Sequence, residues 1–81
     1  MPGFEEVRRC AGELHTVNIV YSKDTGEVKT YTLEPYSVRG EFFFGYDVIE
    51  GSIKKFRISG IIDVIDTGEM FTPREGWLVE F

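Results

Sequence analysis

The sequence predicts a mainly β fold with one N-terminal α-helix, namely a small, strongly bent antiparallel β-barrel of Sm-like or SH3-like type. The 81 residues suffice for one small domain. Apolar residues recur at helical spacing only near the N-terminus, and from His15 onward they alternate with a period of two between turn signals. We therefore predict a single domain over residues 1–81, with a helix over about 3–14 and a barrel over about 15–81.

The helix is predicted from an apolar stripe. Phe4, Val7, Ala11 and Leu14 lie on one face, and charged residues occupy the rest of the circumference. Such a short helix needs an apolar surface to persist. Gly12 weakens the helix near its far end and favours its termination there.

Two hairpins and two further strands account for the rest of the chain. "HTVNIVY" and "EVKTYTL" flank the Gly-containing loop "SKDTGE", and "EFFFGYDVI" and "SIKKFRIS" flank the turn at "EGS". Between the hairpins, Pro35 is expected to break the strand ladder and redirect the chain. Gly60 is expected to allow a sharp bend before the strand "IIDVID"; the loop "TGEMFTPRE" and a last strand, "GWLVEF", follow.

Three successive phenylalanines in "EFFFGYD" pose the main question about function. Phe42, Phe44, Tyr46 and Val48 form the longer apolar series and are predicted to face the core, which turns Phe43 outward. On the neighbouring strand, Lys55 and Arg57 are also predicted to face outward. A ring beside a guanidinium suits single-stranded nucleic acid. The other interpretation, which the frequent packing role of aromatic residues favours, is that the helix or a partner subunit covers Phe43 and that Arg57 pairs with a carboxylate.

Composition and charge exclude several classes of protein. The net charge of −5 argues against generic attachment to nucleic acid or an anionic membrane, and the short apolar runs exclude a membrane span. Cys10 and His15 do not form a zinc or disulfide pattern, so we expect no metal and no cofactor. No export signal is recognisable, and a cytoplasmic location is expected.

No catalytic constellation is recognisable in the sequence. The tetrapeptide "DTGE" occurs at residues 24–27 and 66–69, and Asp-Thr-Gly is typical of aspartic proteases, but Asp-x-Gly is also ordinary turn chemistry and the chain is too short for a substrate cleft. Cys10 and His15 have no partners for a catalytic triad. We expect a protein that is not an enzyme.

From about Leu14 to Arg74, the chain resembles a WYL domain. The resemblance rests on "IVYSKDTGE", "LEPYSVRG", "EFFFGYD", "KKFRISGI" and "MFTP" in this order. Glu41, Phe42 and Phe43 stand where the family has Trp-Tyr-Leu. Lys54, Phe56 and Arg57 match its basic-aromatic-basic strand, and Gly60 replaces a usual arginine.

The resemblance implies an Sm-like barrel that acts as a ligand-sensing or regulatory module, commonly in transcription regulators. The expected ligand is anionic, a nucleotide or a single-stranded nucleic acid, and the expected binding residues are Phe43, Lys54, Lys55 and Arg57. The alternative is a structural or protein-interaction module that forms a homodimer or binds a regulator protein without a small ligand.

Overall fold

The computed structural model describes residues 4–81 and confirms the predicted fold class. Helix α1 spans Phe4–Glu13, and five strands form one antiparallel sheet in the order β4-β3-β2-β1-β5. Their bounds are His15–Ser22 (β1), Val28–Arg39 (β2), Phe42–Asp47 (β3), Ser52–Arg57 (β4) and Ile61–Met70 (β5). A short 3₁₀ turn, Ile58–Gly60, joins the two edge strands β4 and β5.

The sheet curls strongly enough to bring β1 and β4 together. Two strands separate them in the sheet order, yet the Tyr21 ring of β1 lies 5.0 Å from the Phe56 ring of β4. The Tyr21 hydroxyl also accepts a hydrogen bond of 2.9 Å from the backbone N–H of Arg57. These contacts across the concave side give the sheet its barrel-like shape.

Helix α1 covers the concave side of the sheet at β1, β2 and β5. The predicted start at residue 3 lies outside the described residues. Gly12 lies within the helix, and the chain leaves it at Leu14, whose φ of 59° is in the left-handed region. The N–H of Leu14 donates to the carbonyl of Ala11, and the N–H of Phe71 donates to the carbonyl of Leu14. These two bonds hold a conformation that a leucine rarely adopts.

The core lies between the helix and the concave side of the sheet. The helix and β1 to β4 contribute its buried members, and Ile61 and Val64 of β5 pack against them partly buried. The buried members are Phe4, Val7, Cys10, Val17, Ile19, Tyr31, Leu33, Phe43, Phe56. The side chain of Phe81 also packs here, with its ring 6.3 Å from that of Phe43.

Two predicted boundaries are wrong. Pro35 does not break the strand: β2 continues to Arg39, and the register with β3 shifts between Pro35 and Ser37. The missing N–H of proline is thus accommodated in a bulge. At the other end, β5 continues through the second "DTGE" to Met70, and residues 76–81 form only an isolated bridge, Ser37 to Glu80, instead of a strand.

The predicted orientation of β3 is also wrong. Phe43 is fully buried, whereas Phe42, Phe44 and Tyr46 are half-buried on the convex side and Val48 is exposed. Strand β3 ends at Asp47, so Val48 lies outside the alternation and gives no information on the orientation. The concave-facing residues after Phe43 are Gly45 and Asp47. Since neither has an apolar side chain, the sequence pattern does not indicate that this side of β3 faces the core.

Gly45 and Asp47 have specific reasons to lie on the concave side. A Cβ at Gly45 would meet the carbonyl oxygen of Glu34 at 3.2 Å and the Leu33 side chain at 3.3 Å. Oδ1 of Asp47 accepts hydrogen bonds from the N–H groups of Ile49 and Glu50 and so shapes the following turn. Burial raises the pKa of Asp47, but the N–H groups of Glu50 and Ile49 together with Lys54 outweigh it, and the net pKa is lowered.

Among residues 4–81 there is no helix with the length and apolar character needed to cross a membrane.

Candidate functional site

The convex side of β2, β3 and β4 carries a phenylalanine flanked by basic residues. Phe42 is the cross-strand partner of Arg39 on β2 and of Arg57 on β4. The Lys55 ammonium lies 4.7 Å from the centre of the Phe42 ring, and the Arg57 guanidinium lies 5.8 Å from it. We call Arg39, Phe42, Lys55 and Arg57 the cationic face. Its three basic residues are exposed.

The structure divides the predicted binding residues between the two sides of the sheet. Lys55 and Arg57 face outward as predicted, beside an aromatic ring. That ring belongs to Phe42, because Phe43 stacks on Phe56 in the core, with ring centres 5.3 Å apart. Phe43 is therefore not exposed to a ligand.

Lys54 lies on the concave side, and acidic neighbours engage its ammonium. It forms ion pairs with Asp47 at 3.5 Å and Glu50 at 3.0 Å, and the hydrogen bond to Glu50 is the main reason that its pKa is raised. The ammonium also lies 5.4 Å from the centre of the Tyr31 ring. Lys54 thus stabilises the end of the β3–β4 hairpin and points away from Lys55 and Arg57.

The basic residues of the cationic face lack carboxylate partners. Elsewhere in the described chain, ion pairs engage Arg9, Lys23, Lys29, Lys54 and Arg74. Within residues 4–81 the basic residues without an ion pair are Arg8, Arg39, Lys55 and Arg57. In a chain of net charge −5, three of these four lie around one ring. This is a local positive patch on an acidic protein.

Residues 71–81, which we call the C-terminal segment, pack against β2 and β3 at Glu34, Tyr36 and Tyr46. The guanidinium of Arg74 donates to both carboxylate oxygens of the buried Glu34, at 3.2 and 3.3 Å, and lies 3.6 Å from the centre of the Tyr46 ring. The Tyr36 hydroxyl donates to Glu34 at 2.7 Å. Burial, and then this bond to Glu34, raise the pKa of Tyr36 to about 12. This network holds the segment against the sheet.

A groove of about 480 Å³ separates the C-terminal segment from the cationic face. Trp77 lies against Tyr36, with ring centres 5.0 Å apart, and Phe44 and Ile53 come from β3 and β4. Arg39 belongs both to the groove and to the cationic face, so the two are continuous. The lining residues are Tyr36, Ser37, Arg39, Phe44, Ile53, Gly76, Trp77, Leu78, Glu80.

A second polar cluster lies where the helix meets β5. Asp66 accepts hydrogen bonds from the N–H of Gly68 at 2.8 Å and from Arg9 at 3.1 Å, and it lies 3.1 Å from Nδ1 of His15. The bond from Gly68, and then that from His15, lower the pKa of Asp66 to about 2. The second "DTGE" lies within β5, where the β1–β5 register is irregular, and its Asp66 anchors the helix through Arg9.

Side chains of this cluster are also the donors best placed for a metal ion. Two sets lie within 4.8 Å, namely Glu6, Cys10 and Asp66, and Glu13, His15 and Asp66. The Arg9 guanidinium already contacts Glu6, Glu13 and Asp66. Burial raises the pKa of Cys10 to about 11, which disfavours the thiolate needed by a metal or a nucleophile. We assign this cluster to the docking of the helix.

Sequence reasoning missed Phe42 and Arg39 as members of the site. Arg39 stands in "VRG", just before the turn that leads to β3, and pairs across that turn with Phe42. A usable signal was present in Asp47, because an aspartate that shapes a turn marks where the strand ends. Counting back from Asp47 in steps of two places Phe43, and not Phe42, on its side of the strand.

Comparison with known proteins supports the fold. The structure of proteasome accessory factor B/C (PafBC) of Arthrobacter aurescens superimposes with a TM-score of 0.76 and 15% sequence identity. The match covers 85% of this chain but 12% of the PafBC chain. The two proteins share a fold. PafBC contains a WYL domain, the type of domain that this sequence resembles. No protein-family model and no curated protein matches the sequence.

Proposed function

We propose that this chain is a non-enzymatic, WYL-like regulatory module that binds an anionic ligand, a nucleotide or single-stranded nucleic acid, on its cationic face. One observation carries the proposal: Arg39, Lys55 and Arg57 lack acidic partners and surround the half-buried ring of Phe42. Uncompensated charge on an acidic protein concentrates positive potential at one place. This is the potential that a phosphate requires.

The types of residue suit phosphate and base together. A guanidinium forms paired hydrogen bonds to phosphate oxygens, and an ammonium adds a compact positive charge. An aromatic ring gives a base a surface for stacking, worth about 1–3 kcal/mol per base. Arg39 and Arg57 lie on opposite sides of Phe42, so phosphates on both sides of a base stacked on Phe42 would have a cation within reach.

The fold is consistent with a regulatory role. PafBC, whose structure resembles this chain, is a transcription regulator with a WYL domain. Because the match covers 12% of PafBC, the likeness concerns one module of that regulator. We extend a regulatory role, without a particular regulated pathway, to this chain on that basis.

The alternative, self-association through edge strands, has less support. Such pairing needs free backbone donors on the edge strands β4 and β5. The N–H of Arg57 on β4 donates to the Tyr21 hydroxyl, and the N–H of Val64 on β5 donates to Oδ1 of Asp63. Side chains thus already satisfy one donor on each edge strand. A partner strand would have to displace these side chains.

The proposal can be tested by backbone amide NMR titration with short single-stranded DNA and RNA, at low and high salt. We expect shifts at Arg39, Phe42, Lys55 and Arg57 that fade as salt is added. For single strands, the slope of log K against log[salt] is about −0.7 per phosphate neutralised. Arg57→Ala should therefore weaken binding and make the slope shallower by about 0.7.

Arg8→Ala is the matched control. Arg8 also lacks an ion pair within residues 4–81 and lies over a phenylalanine, 5.3 Å from the Phe4 ring centre, but on helix α1. The net charge changes equally in both variants, so only a local site distinguishes them. Equal weakening by Arg8→Ala and Arg57→Ala would reduce the effect to net charge and contradict the proposal.

A further inference from the structure

The groove beside the cationic face has the composition of a ring-binding subsite. Its volume of about 480 Å³ lies within the range of small-molecule sites, and Phe44, Trp77 and Ile53 give it aromatic and aliphatic surface. Arg39 is the basic residue in its lining, and it has no acidic partner among the described residues. An apolar groove with one free guanidinium complements a ligand that is flat and apolar in one part and anionic in another.

The position of Arg39 links the groove to the cationic face. Arg39 pairs with Phe42 across β2 and β3, and Ser37, two residues earlier on the same side of β2, pairs with Phe44. Residues two apart on one strand are separated by about 6.6 Å. A phosphate at Arg39 would therefore lie beside Phe42, the cross-strand partner of Arg39, and about 6.6 Å along the strand from the Ser37–Phe44 pair.

The negative charge of Glu80 predicts a measurable effect on the affinity for an anionic ligand. Glu80 lines the groove together with Arg39, and its backbone forms a bridge with Ser37, two residues before Arg39 on β2. It forms no ion pair within the described residues. A phosphate bound at Arg39 would be repelled by Glu80, whereas an uncharged ligand would not.

We propose that this groove holds the nucleobase of a ligand whose phosphate lies at Arg39, with Trp77 as the ring that contacts the base. The inference rests on the proposed function and adds to it a second subsite and a ligand class, a nucleobase joined to phosphate. A free nucleotide and a nucleotide within a strand share this chemistry. The ring of Trp77 comes from the C-terminal segment, so the subsite exists only while that segment is docked.

Trp77 is the single tryptophan of the chain and lines the groove, so tryptophan fluorescence reports on this part of the protein. The full chain would be titrated with adenosine monophosphate, a short single-stranded oligoadenylate and pyrophosphate, with excitation at the red edge of tryptophan absorption. Amide shifts at Lys55 and Arg57 would be recorded in parallel. We expect the nucleotide and the oligonucleotide to quench Trp77, and pyrophosphate to shift the amides without quenching.

The three ligands separate the outcomes. If all of them shift Lys55 and Arg57 but none changes Trp77 fluorescence, the groove inference is overturned and the proposed function stands. If none has either effect, both fail. Quenching by the oligonucleotide alone supports the subsite and identifies a strand as its source, whereas quenching by the nucleotide as well identifies a free ligand.

Variants test the charge at the groove. Glu80→Gln should tighten binding of the quenching ligand by about twofold or more, and Arg39→Ala should weaken it by about fivefold or more, as expected when one charged contact to phosphate is gained or lost. Both side chains are exposed, and neither belongs to the core. Unchanged or weaker binding in Glu80→Gln would contradict a phosphate at Arg39.

Discussion

The ring of Phe43 lies 5.3 Å from that of Phe56 at an interplanar angle of 24°, in the core between the helix and the sheet. The preceding residue, Phe42, lies on the opposite side of the sheet beneath Lys55 and Arg57. Two neighbouring phenylalanines thus have different tasks, one in packing and the other in the candidate site.

Truncation of the Phe43 ring should mainly lower stability, whereas truncation of the Phe42 ring should mainly weaken ligand binding. Phe43→Ala should lower the free energy of unfolding by about 3–5 kcal/mol, as for a buried phenylalanine. Phe42→Ala should lower it by about 1 kcal/mol or less, because its ring is half-buried on the convex side, but should weaken oligonucleotide binding. Urea unfolding and the NMR titration measure the two effects. Similar losses of stability in both variants would contradict the assigned orientation of β3.

Gly60 should not tolerate a larger residue. A Cβ at this position would lie 2.7 Å from Cε1 of Tyr21 and 3.0 Å from the carbonyl oxygen of Ser22. Gly60→Ala should therefore destabilise the protein by about 1–3 kcal/mol through overpacking. Gly12→Ala is the control with the opposite expected sign: nothing lies within 4 Å of its Cβ, and alanine favours the helix by about 1 kcal/mol. Thermal unfolding of both variants checks the pair.

Docking of the C-terminal segment should depend on the coupling of Arg74 and Glu34. Arg74→Ala leaves the buried Glu34 with the Tyr36 hydroxyl as its remaining side-chain partner and should destabilise the fold by about 1–3 kcal/mol. In a double-mutant cycle with Glu34→Gln, we expect a coupling energy of about 0.5–3 kcal/mol. Trp77 fluorescence should move towards that of exposed tryptophan in Arg74→Ala. Additive losses in the cycle would show that the two residues act independently.

Asp66 should make stability depend on pH in the acid range. Its pKa is lowered to about 2 in the folded protein, chiefly by the N–H of Gly68 and by His15, against an ordinary value of about 3.9. The charged form is therefore favoured by folding. This contribution is complete above about pH 4 and is lost as the pH falls towards 2.

The measurement is the free energy of unfolding of the wild type and Asp66→Asn between pH 2 and 6. The wild type should be the more stable protein at pH 6, and the difference should shrink as the pH falls. Asp24→Asn is the control, because Asp24 occupies the same place in the first "DTGE" but is exposed in the hairpin loop. A difference that does not vary with pH would rule out this role of Asp66.

Local patterns in the sequence are enough to predict most of the elements. The apolar stripe from Phe4 to Ala11 identifies the helix, and period-two alternation with turn residues identifies both hairpins and the strand after Gly60. Exposure of Lys55 and Arg57 could also be predicted, because charged side chains seldom lie in a core. Prediction failed at Pro35 and at residues 76–81, where pairing with distant residues decides the structure.

The sequence by itself determined a small β-rich domain with one amphipathic helix and a basic pair beside an aromatic strand, since these follow from spacing and residue type. The tertiary structure alone decided which phenylalanine is buried, because both sides of β3 carry aromatic residues that pack on other parts of the chain. Phe43 stacks on Phe56 in the core, and Tyr46 on the other side packs on Trp77 of the C-terminal segment. The tertiary structure also decided which basic residues remain free of carboxylates. Long-range packing and ion pairing set both outcomes, and local periodicity does not encode them.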